Sequence, residues 1–172
     1  MNYLNKFRNI TTFVFDIDGV LSDGKILLHP DGTLWRNLSI RDGFAMRMAI
    51  NLGYRVTIIS GGDTPGAKLR FESLGLKDII MQCSDKKTAL EAFASRYQLD
   101  YGEILYMGDD LPDYDAMRLA GLPCCPKDAV DEIRDLSVYI SPKRGGDGCA
   151  RDVIEKVLKL KGDWPGYPNL KI

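Results

Sequence analysis

Polar side chains that could do chemistry follow four apolar segments of the chain. Two carboxylates one residue apart, Asp16 and Asp18, come directly after the apolar run TFVF. Three further groups follow later apolar runs: Ser60-Gly61-Gly62, Ser84-Asp85-Lys86 and Gly108-Asp109-Asp110-Leu111-Pro112-Asp113. Each group alone is typical of a solvated turn or a helix cap. Four of them in one chain indicate a shared site.

The chemistry of such a set follows from its charge. Crowded carboxylates raise one another's pKa unless a cation lies among them, and Mg²⁺ is the natural cation for oxygen ligands. One carboxylate could then attack phosphorus to form an aspartyl-phosphate, while a second protonates the leaving alcohol and later activates water. The lysine, the hydroxyl and backbone N–H groups near Gly61 could hold the phosphoryl oxygens.

The elements that must position these groups alternate along the chain. Strands are predicted at 11–16, 54–60, 78–81, 103–108, 122–125 and 138–140. Helices are predicted at 42–52, 65–74, 85–97, 112–120, 129–136 and about 150–161. Such alternation predicts an α/β fold, a three-layer Rossmann-like parallel sheet with helices on both faces. Ligands of these folds bind beyond the carboxyl ends of the strands, where all four polar groups would meet.

A β-hairpin at about 25–38 is predicted between the first strand and the first of these helices, around the turn Pro30-Asp31-Gly32. Its alternating apolar residues are Ile26, Leu28, Leu34 and Leu38. Asp42 is the expected N-cap of the helix that follows. The face predicted to be buried on that helix comprises Phe44, Ala45, Met48, Ala49 and Leu52.

Length and composition predict one domain spanning 1–172, with an irregular tail at 162–172. The net charge of −1 gives no reason to expect nucleic acid or a membrane surface as partner. We expect a cytoplasmic protein, because the N-terminus lacks the apolar core of a signal peptide and the four cysteines lack metal-type spacing. The single histidine, His29, lies beside the hairpin turn, so a mechanism built on histidine is not expected.

Four segments resemble the motifs of the haloacid dehalogenase-like phosphohydrolases: DIDGVLSDG, ISGG, the lysine of SDKK and GDDLPDYDAM. The hairpin, SIRDGFAMR and RGGDGCARDVIEKVL extend the resemblance to a branch similar to the phosphatases of 3-deoxy-D-manno-octulosonate 8-phosphate (KDO 8-phosphate) in lipopolysaccharide sugar biosynthesis. The motifs specify the superfamily strongly and the substrate only weakly.

The resemblance implies a role for each motif residue. Asp16 would be the nucleophile and Asp18 the general acid and base. Mg²⁺ would be held by the Asp16 carboxylate, the Asp18 backbone carbonyl and Asp109, with Asp110 and Asp113 supporting these ligands. The residues implied in phosphoryl binding are Ser60, Gly61 and Lys86.

The substrate implied is a small phosphorylated sugar acid. Related enzymes often carry a basic residue where this chain has Gly62-Asp63. The remaining candidates for binding a substrate carboxylate are Arg41, Arg144 and Arg151, each of which could equally form a surface ion pair. A nine-carbon, sialic-acid-type 9-phosphate is the nearest alternative substrate.

The spacing of the motifs leaves no room for the cap domain usual in this superfamily. Members of the branch compensate by forming tetramers, so we expect a homotetramer in which the hairpin lies beside the neighbouring site. The alternative is that the apolar face of the hairpin packs on its own domain.

Two other classes of protein are open on the residues alone. A receiver-like signalling domain also uses a phosphorylated aspartate, a lysine and Mg²⁺, but it has no use for a second carboxylate two residues after the first. A non-catalytic oligomerisation module could lose the motif carboxylates, whereas Asp16, Asp18 and Asp109 are all present.

Overall fold

A parallel six-stranded sheet organises the chain in the computed structural model, which describes residues 3–165. In that range the strands are β1 (Thr12–Phe15), β2 (Leu27–Leu28), β3 (Leu34–Trp35), β4 (Arg55–Ile59), β5 (Asp78–Ile80), β6 (Ile104–Met107), β7 (Leu122–Cys125) and β8 (Tyr139–Ile140). The α-helices are α1 (Tyr3–Asn9), α2 (Ile40–Asn51), α3 (Pro65–Ser73), α4 (Lys86–Tyr97), α5 (Tyr114–Leu119), α6 (Asp131–Leu136) and α7 (Cys149–Lys161). The sheet order is β5-β4-β1-β6-β7-β8, and β2 and β3 form a separate hairpin.

Strand β1 lies at the centre of the sheet and is buried along its whole length. Its register pairs Phe15 with Ile58 on one side and with Met107 on the other. The residues that follow these strands, Asp16 and Gly108 among them, therefore leave the sheet at the same edge. Side chains alternate across the sheet, which is why a strand buried on both faces is apolar throughout.

Helices cover both faces of the sheet. Phe13 and Phe15 of β1 pack in one core with α1, α2, α3 and α7, whereas Val14 packs in a second core with α4, α5 and α6. The predicted three-layer fold is confirmed, with small shifts at the element ends. Between β1 and β4 the chain forms a turn at Ile17–Leu21, the hairpin and α2, in place of a cap domain.

Helix α2 differs from the prediction at its start. Ser39 is the N-cap, and its hydroxyl accepts from the N–H of Asp42, which lies in the first turn. Asp42 instead reaches α7, where its Oδ1 accepts from the N–H of Arg151 at 2.6 Å. The prediction failed because a capping carboxylate was assumed to act on its own helix, while this one caps a neighbouring helix.

The buried face of α2 is also partly different from the prediction. Ala45 and Ala49 are buried as expected, but Met46 is buried as well and Leu52 is 44% exposed. Phe44 and Met48 are only partly buried. The helix begins at Ile40, before the predicted start, and packs chiefly against α7.

The two ends of the described chain add one element and leave one prediction open. Helix α1 was not predicted, because its seven residues are too few to show an apolar period. It is held by Phe7, which is fully buried. The Phe7 ring packs edge-on against the ring of Tyr139, with 5.3 Å between the ring centroids. Gly162, at φ +80°, ends α7, and 163–165 are not helical. The rest of the predicted irregular tail, 166–172, lies outside the described residues.

The hairpin stands away from the body of its own domain. Leu27 pairs with Trp35 and Leu28 with Leu34, and all four side chains are exposed, Leu28 to 74%. Leu38, which follows the hairpin, pairs with Ser22 and packs on the main core. The alternative in which the hairpin face packs on its own domain is therefore wrong except at Leu38.

No helix among residues 3–165 is both long enough and apolar enough to cross a membrane. All four cysteines are free, and Cys124, Cys125 and Cys149 are buried.

Candidate active site

A cleft of about 310 Å³ opens at the carboxyl edge of the sheet, and we call it the carboxyl-edge cleft. Its lining residues are Asp16, Asp18, Gly24, Ser60, Gly61, Gly62, Lys86, Asp109, Asp110, Pro112 and Asp113. The structure thus brings together the polar groups that follow four different strands. The candidate partners for a substrate carboxylate, Arg41, Arg144 and Arg151, are not among these lining residues.

Lys86 is the centre of the charge arrangement in this cleft. Its Nζ lies 2.8 Å from Oδ1 of Asp16 and 2.8 Å from Oδ1 of Asp113, and its side chain is only 6% exposed. It is the first residue of α4, whose N-cap Asp85 accepts from the N–H of Thr88 at 3.0 Å. Burial lowers the pKa of Lys86, but the two carboxylates raise it further, so the net shift is upward. Lys86 is therefore a buried cation, which excludes the solvated surface role usual for a lysine in a first helical turn.

Asp113 holds Lys86 in place. The Asp113 side chain is buried, and its Oδ1 also accepts from the hydroxyl of Tyr106 at 2.9 Å. Its Oδ2 accepts from the N–H of Asp109 at 3.3 Å. A Cβ on Gly108 would lie 2.4 Å from the Cβ of Asp113, so this approach requires glycine. Asp113 consequently orients both the lysine and the loop that carries Asp109.

Three carboxylates of the cleft are close enough to share a metal ion. Asp16, Asp109 and Asp113 each present an oxygen, and these oxygens all lie within 4.8 Å of one another. Burial and repulsion by Asp113 raise the pKa of Asp16 to about 7, although Lys86 opposes the shift. Burial and repulsion by Asp16 raise the pKa of Asp109 to about 8. The donor set is all oxygen and carries more negative charge than Lys86 offsets, which fits a hard divalent ion such as Mg²⁺.

The turn at Ile17–Leu21 packs tightly against this acidic group. Gly19 has φ +90°, and a Cβ there would lie 1.9 Å from Oδ2 of Asp109. Gly145, from the segment before α7, packs on the other side of the turn, since a Cβ on it would meet the carbonyl oxygen of Gly19 at 1.9 Å. Glycine at both positions therefore lets three separate segments meet beside the clustered carboxylate oxygens.

Asp18 is held by an arginine that the sequence interpretation missed. The Arg36 guanidinium, from the end of the hairpin, contacts both Asp18 oxygens, with Nη2 2.9 Å from Oδ2. The hydroxyl of Ser22 donates to Oδ1 of Asp18 at 3.4 Å. The only signal in the sequence was a charged residue placed among the apolar residues of the second hairpin strand, TLWRNL.

The loop after β4 contributes a hydroxyl and two glycines. Ser60 is buried, and its Oγ accepts from the N–H of Gly62 at 3.3 Å. The loop is tied to the next strand end, because the N–H of Cys83 donates to the Ser60 carbonyl at 3.0 Å. Asp63, which follows these glycines, accepts from the side chain of Gln82 at 2.7 Å.

The remaining predicted residues lie at the rim of the cleft or outside it. Asp110 is exposed and caps the turn Leu111–Asp113, accepting from the N–H of Leu111 at 2.7 Å. Arg41 is exposed in the first turn of α2. Arg144 is 70% exposed and lies 3.7 Å from Asp128, and Arg151 pairs with Glu155 at 3.1 Å.

Comparison with known proteins gives a consistent assignment. The haloacid dehalogenase-like hydrolase family matches residues 71–152. The 3-deoxy-D-manno-octulosonate 8-phosphate phosphatase of Salmonella typhi is 30% identical over 159 residues, 92% of this chain and 85% of that protein. The enzyme of the same name from Yersinia pestis is 29% identical over 169 residues, 98% of this chain and 90% of that protein.

A solved structure of a phosphatase with the same name is similar to this chain over nearly its whole length. The 3-deoxy-D-manno-octulosonate 8-phosphate phosphatase of Moraxella catarrhalis, in complex with magnesium, phosphate and KDO, superposes with a TM-score of 0.91. It is 34% identical, and the match covers 95% of this chain and 94% of that one. Taken with the geometry of the carboxyl-edge cleft, these similarities show that the chain belongs to the haloacid dehalogenase-like hydrolase family, as one of its phosphatases.

Proposed function

We propose that this protein hydrolyses the phosphate monoester of 3-deoxy-D-manno-octulosonate 8-phosphate, in a Mg²⁺-dependent reaction that passes through phosphorylated Asp16. The observation that carries the proposal is the buried contact of Asp16 with Lys86, itself held by Asp113, in the lining of an acidic cleft. The similarity to phosphatases of this ester, which extends over more than nine-tenths of the chain, supports the choice of substrate.

The residues present fit the metal. The carboxylates of Asp16 and Asp109, with the backbone carbonyl of Asp18, would hold Mg²⁺, while Asp113 and the exposed Asp110 support the loop that carries Asp109. When bound, Mg²⁺ offsets the charge of the phosphoryl oxygens and keeps the neighbouring carboxylates ionised at neutral pH.

The side chains then divide the reaction between them. The Asp16 carboxylate attacks phosphorus, the bond from phosphorus to the sugar oxygen breaks, and Asp18 gives its proton to that oxygen. Lys86, the Ser60 hydroxyl and the N–H groups of the loop at Gly61 hold the phosphoryl oxygens. Asp18 next takes a proton from water, which attacks phosphorus and releases inorganic phosphate together with a free Asp16 carboxylate.

The proposal includes a homotetramer in the cytoplasm. The exposed apolar hairpin supports an assembly in which this segment is covered by a neighbouring subunit beside the cleft. The free thiols of all four cysteines support a reducing compartment. Within the assembly, Arg41, Arg144 and Arg151 are the candidate partners for the substrate carboxylate.

Phosphate release tests the proposal. Purified protein is assayed with the eight-carbon 8-phosphate and with a nine-carbon sialic-acid-type 9-phosphate, each with Mg²⁺ and again with EDTA. We expect the higher kcat/KM on the eight-carbon ester and loss of turnover with EDTA. A preference for the nine-carbon ester would overturn the substrate assignment, and absence of turnover on both esters would overturn the proposed function.

A further inference from the structure

Arg36 is a charged residue with an unusually enclosed position for a hairpin. Its side chain is only 4% exposed, although both strands of the hairpin are exposed to solvent. A buried guanidinium needs a carboxylate partner, because an uncompensated charge is strongly unfavourable there. Asp18 is that partner, and its own side chain remains 36% exposed towards the cleft.

The contact has the two-point geometry that fixes direction as well as distance. Nε of Arg36 donates to Oδ1 of Asp18, and Nη2 donates to Oδ2 at 2.9 Å. A planar guanidinium that meets a planar carboxylate in this way fixes the rotation of the carboxylate. Lysine, which is a point charge on a flexible stem, could supply the charge but not the same orientation.

The backbone on either side of Arg36 is anchored. Trp35, the residue before it, pairs with Leu27 across the hairpin. Leu38, two residues after it, pairs with Ser22, whose hydroxyl also donates to Asp18. The guanidinium is therefore attached to a short, doubly held segment rather than to a free loop.

The loop after β4 leaves room for this pair. A Cβ on Gly62 would lie 3.3 Å from Nη2 of Arg36 and 3.3 Å from Oδ2 of Asp18. Arg36 lines the two surface clefts that flank the hairpin and is not among the residues that line the carboxyl-edge cleft in the described chain. It thus contacts Asp18 from the hairpin side, while Asp18 itself faces the reaction.

We propose that Arg36 is the positioning residue for Asp18: its bidentate contact occupies one lone pair of each carboxylate oxygen and fixes the rotation of the group, so that a remaining lone pair faces the cleft. On that lone pair Asp18 takes a proton from water in the hydrolysis step and delivers it to the leaving oxygen in the next turnover. This inference rests on the proposed phosphatase reaction and adds a residue to it. It also makes the hairpin a working part of the active site of its own subunit.

The leaving group distinguishes this role from a structural one. An alkyl oxygen leaves as an alcohol and needs a proton from Asp18, whereas p-nitrophenolate leaves without one. The parameter kcat/KM reports the steps up to formation of phosphorylated Asp16, so it contains the proton delivery. A misplaced Asp18 should therefore harm alkyl esters far more than p-nitrophenyl phosphate.

The experiment compares Arg36→Met and Arg36→Lys with the wild type on the sugar-acid 8-phosphate, phenyl phosphate and p-nitrophenyl phosphate. For Arg36→Met we expect kcat/KM to fall about 10- to 100-fold on the sugar phosphate, which is part of the roughly 10²- to 10⁴-fold that general acid catalysis supplies, and less than about 3-fold on p-nitrophenyl phosphate. Arg36→Lys should recover part of the loss. Arg96→Met is the matched control, because Arg96 pairs with Asp78 at the opposite edge of the sheet and is 70% exposed.

A double-mutant cycle on phenyl phosphate completes the test. Once Asp18→Asn has removed the proton donor, adding Arg36→Met should change kcat/KM by less than about 2-fold, since Arg36 acts only through Asp18. The role of Arg36 would be overturned if Arg36→Met lowered kcat/KM equally on all three esters. It would also be overturned if Arg36→Met lowered kcat/KM as much in the Asp18→Asn background as it does in the wild type. Wild-type protein that is inactive on every monoester would instead overturn the proposed function, and this role would fall with it.

Discussion

The side chain of Lys86 joins Asp16, the proposed nucleophile, to Asp113, because the same ammonium contacts both carboxylates at 2.8 Å. Two buried carboxylates so close together are tolerated only while a cation lies between them. Lys86 therefore holds the Asp16 carboxylate in place, and in the proposed reaction it also offers positive charge to the phosphoryl group.

Replacing this lysine by a side chain of similar length removes both contributions. We expect Lys86→Met to lower kcat/KM by about two to three orders of magnitude, as for other groups that stabilise charge in the transition state. Lys87→Met is the control, because Lys87 is the next residue of the same helix and is exposed. Steady-state assays of the two variants check this, and a Lys86→Met enzyme as active as Lys87→Met would contradict it.

Asp42 gives a prediction for stability rather than catalysis. Burial raises its pKa from 3.8 to about 6, while its Oδ1 accepts from the N–H of Arg151 at the start of α7. The Asp42 carboxyl thus binds its proton more tightly in the folded protein than in the unfolded chain. Its contribution to stability therefore grows as the pH falls through 6 towards 4 and is lost as the pH rises.

The variant Asp42→Asn keeps an acceptor oxygen and cannot titrate. We expect the free energy of unfolding of the wild type, relative to this variant, to increase by about 1 kcal/mol between pH 7 and pH 5. Urea unfolding of both proteins across this range measures the difference. A flat or falling difference would show that Asp42 is not the titrating group.

At the scale of elements, the turn at Ile17–Leu21 brings the end of β1 against the loop after β6. Gly19 makes this possible in two ways, through its φ of +90° and through the absence of a Cβ next to Asp109. The positive φ affects stability alone, whereas the missing Cβ affects the oxygens of Asp109, a proposed Mg²⁺ ligand.

Two alanine substitutions separate these effects. Gly19→Ala introduces both backbone strain and a collision of the new Cβ with Asp109. Gly53 has φ +89° and open space around it, so Gly53→Ala introduces the backbone strain alone. We expect both variants to lose about 1 kcal/mol of stability or more from strain, but only Gly19→Ala to lose Mg²⁺ affinity and activity. Calorimetric titration with Mg²⁺ and thermal melts provide the readings; equal Mg²⁺ affinity in the two variants would refute the packing argument.

How much of this could be predicted from the sequence depends on whether a relationship is local. The sequence was enough to predict that one cleft would contain Asp16, Ser60 and Lys86, because each follows a recognisable strand and parallel strands end at one edge of the sheet. The contact of Arg36 with Asp18 depends on how the hairpin folds back, which no local pattern contains. The cap supplied by Asp42 was missed for the same reason, since it acts on a helix about a hundred residues away.

At the scale of the whole molecule, the hairpin presents apolar side chains that its own domain does not cover. Leu28 is 74% exposed, and Leu27 and Trp35 are more than half exposed. A contiguous exposed apolar segment of this kind is typical of a protein interface. In the proposed tetramer it would close a cleft that lacks a cap domain.

Light scattering should give a mass about four times the 19.2 kDa of one chain. Leu28→Glu, which places a charge on the exposed face, should lower this mass and reduce activity on the sugar phosphate. Leu52→Glu is the control, because Leu52 is an exposed leucine at the other end of the domain, just before β4. A fully active wild-type monomer would refute the tetramer.

In the proposed reaction, Asp16 carries the phosphoryl group during turnover. Protein with Mg²⁺ is mixed with the sugar-acid 8-phosphate, quenched within milliseconds in acid and reduced with borohydride, which converts an aspartyl-phosphate to homoserine. Peptide mass spectrometry should find homoserine at position 16 and should find none in Asp16→Asn, which we expect to lack turnover. Steady release of phosphate with an unmodified Asp16, or with homoserine at another aspartate, would contradict the account.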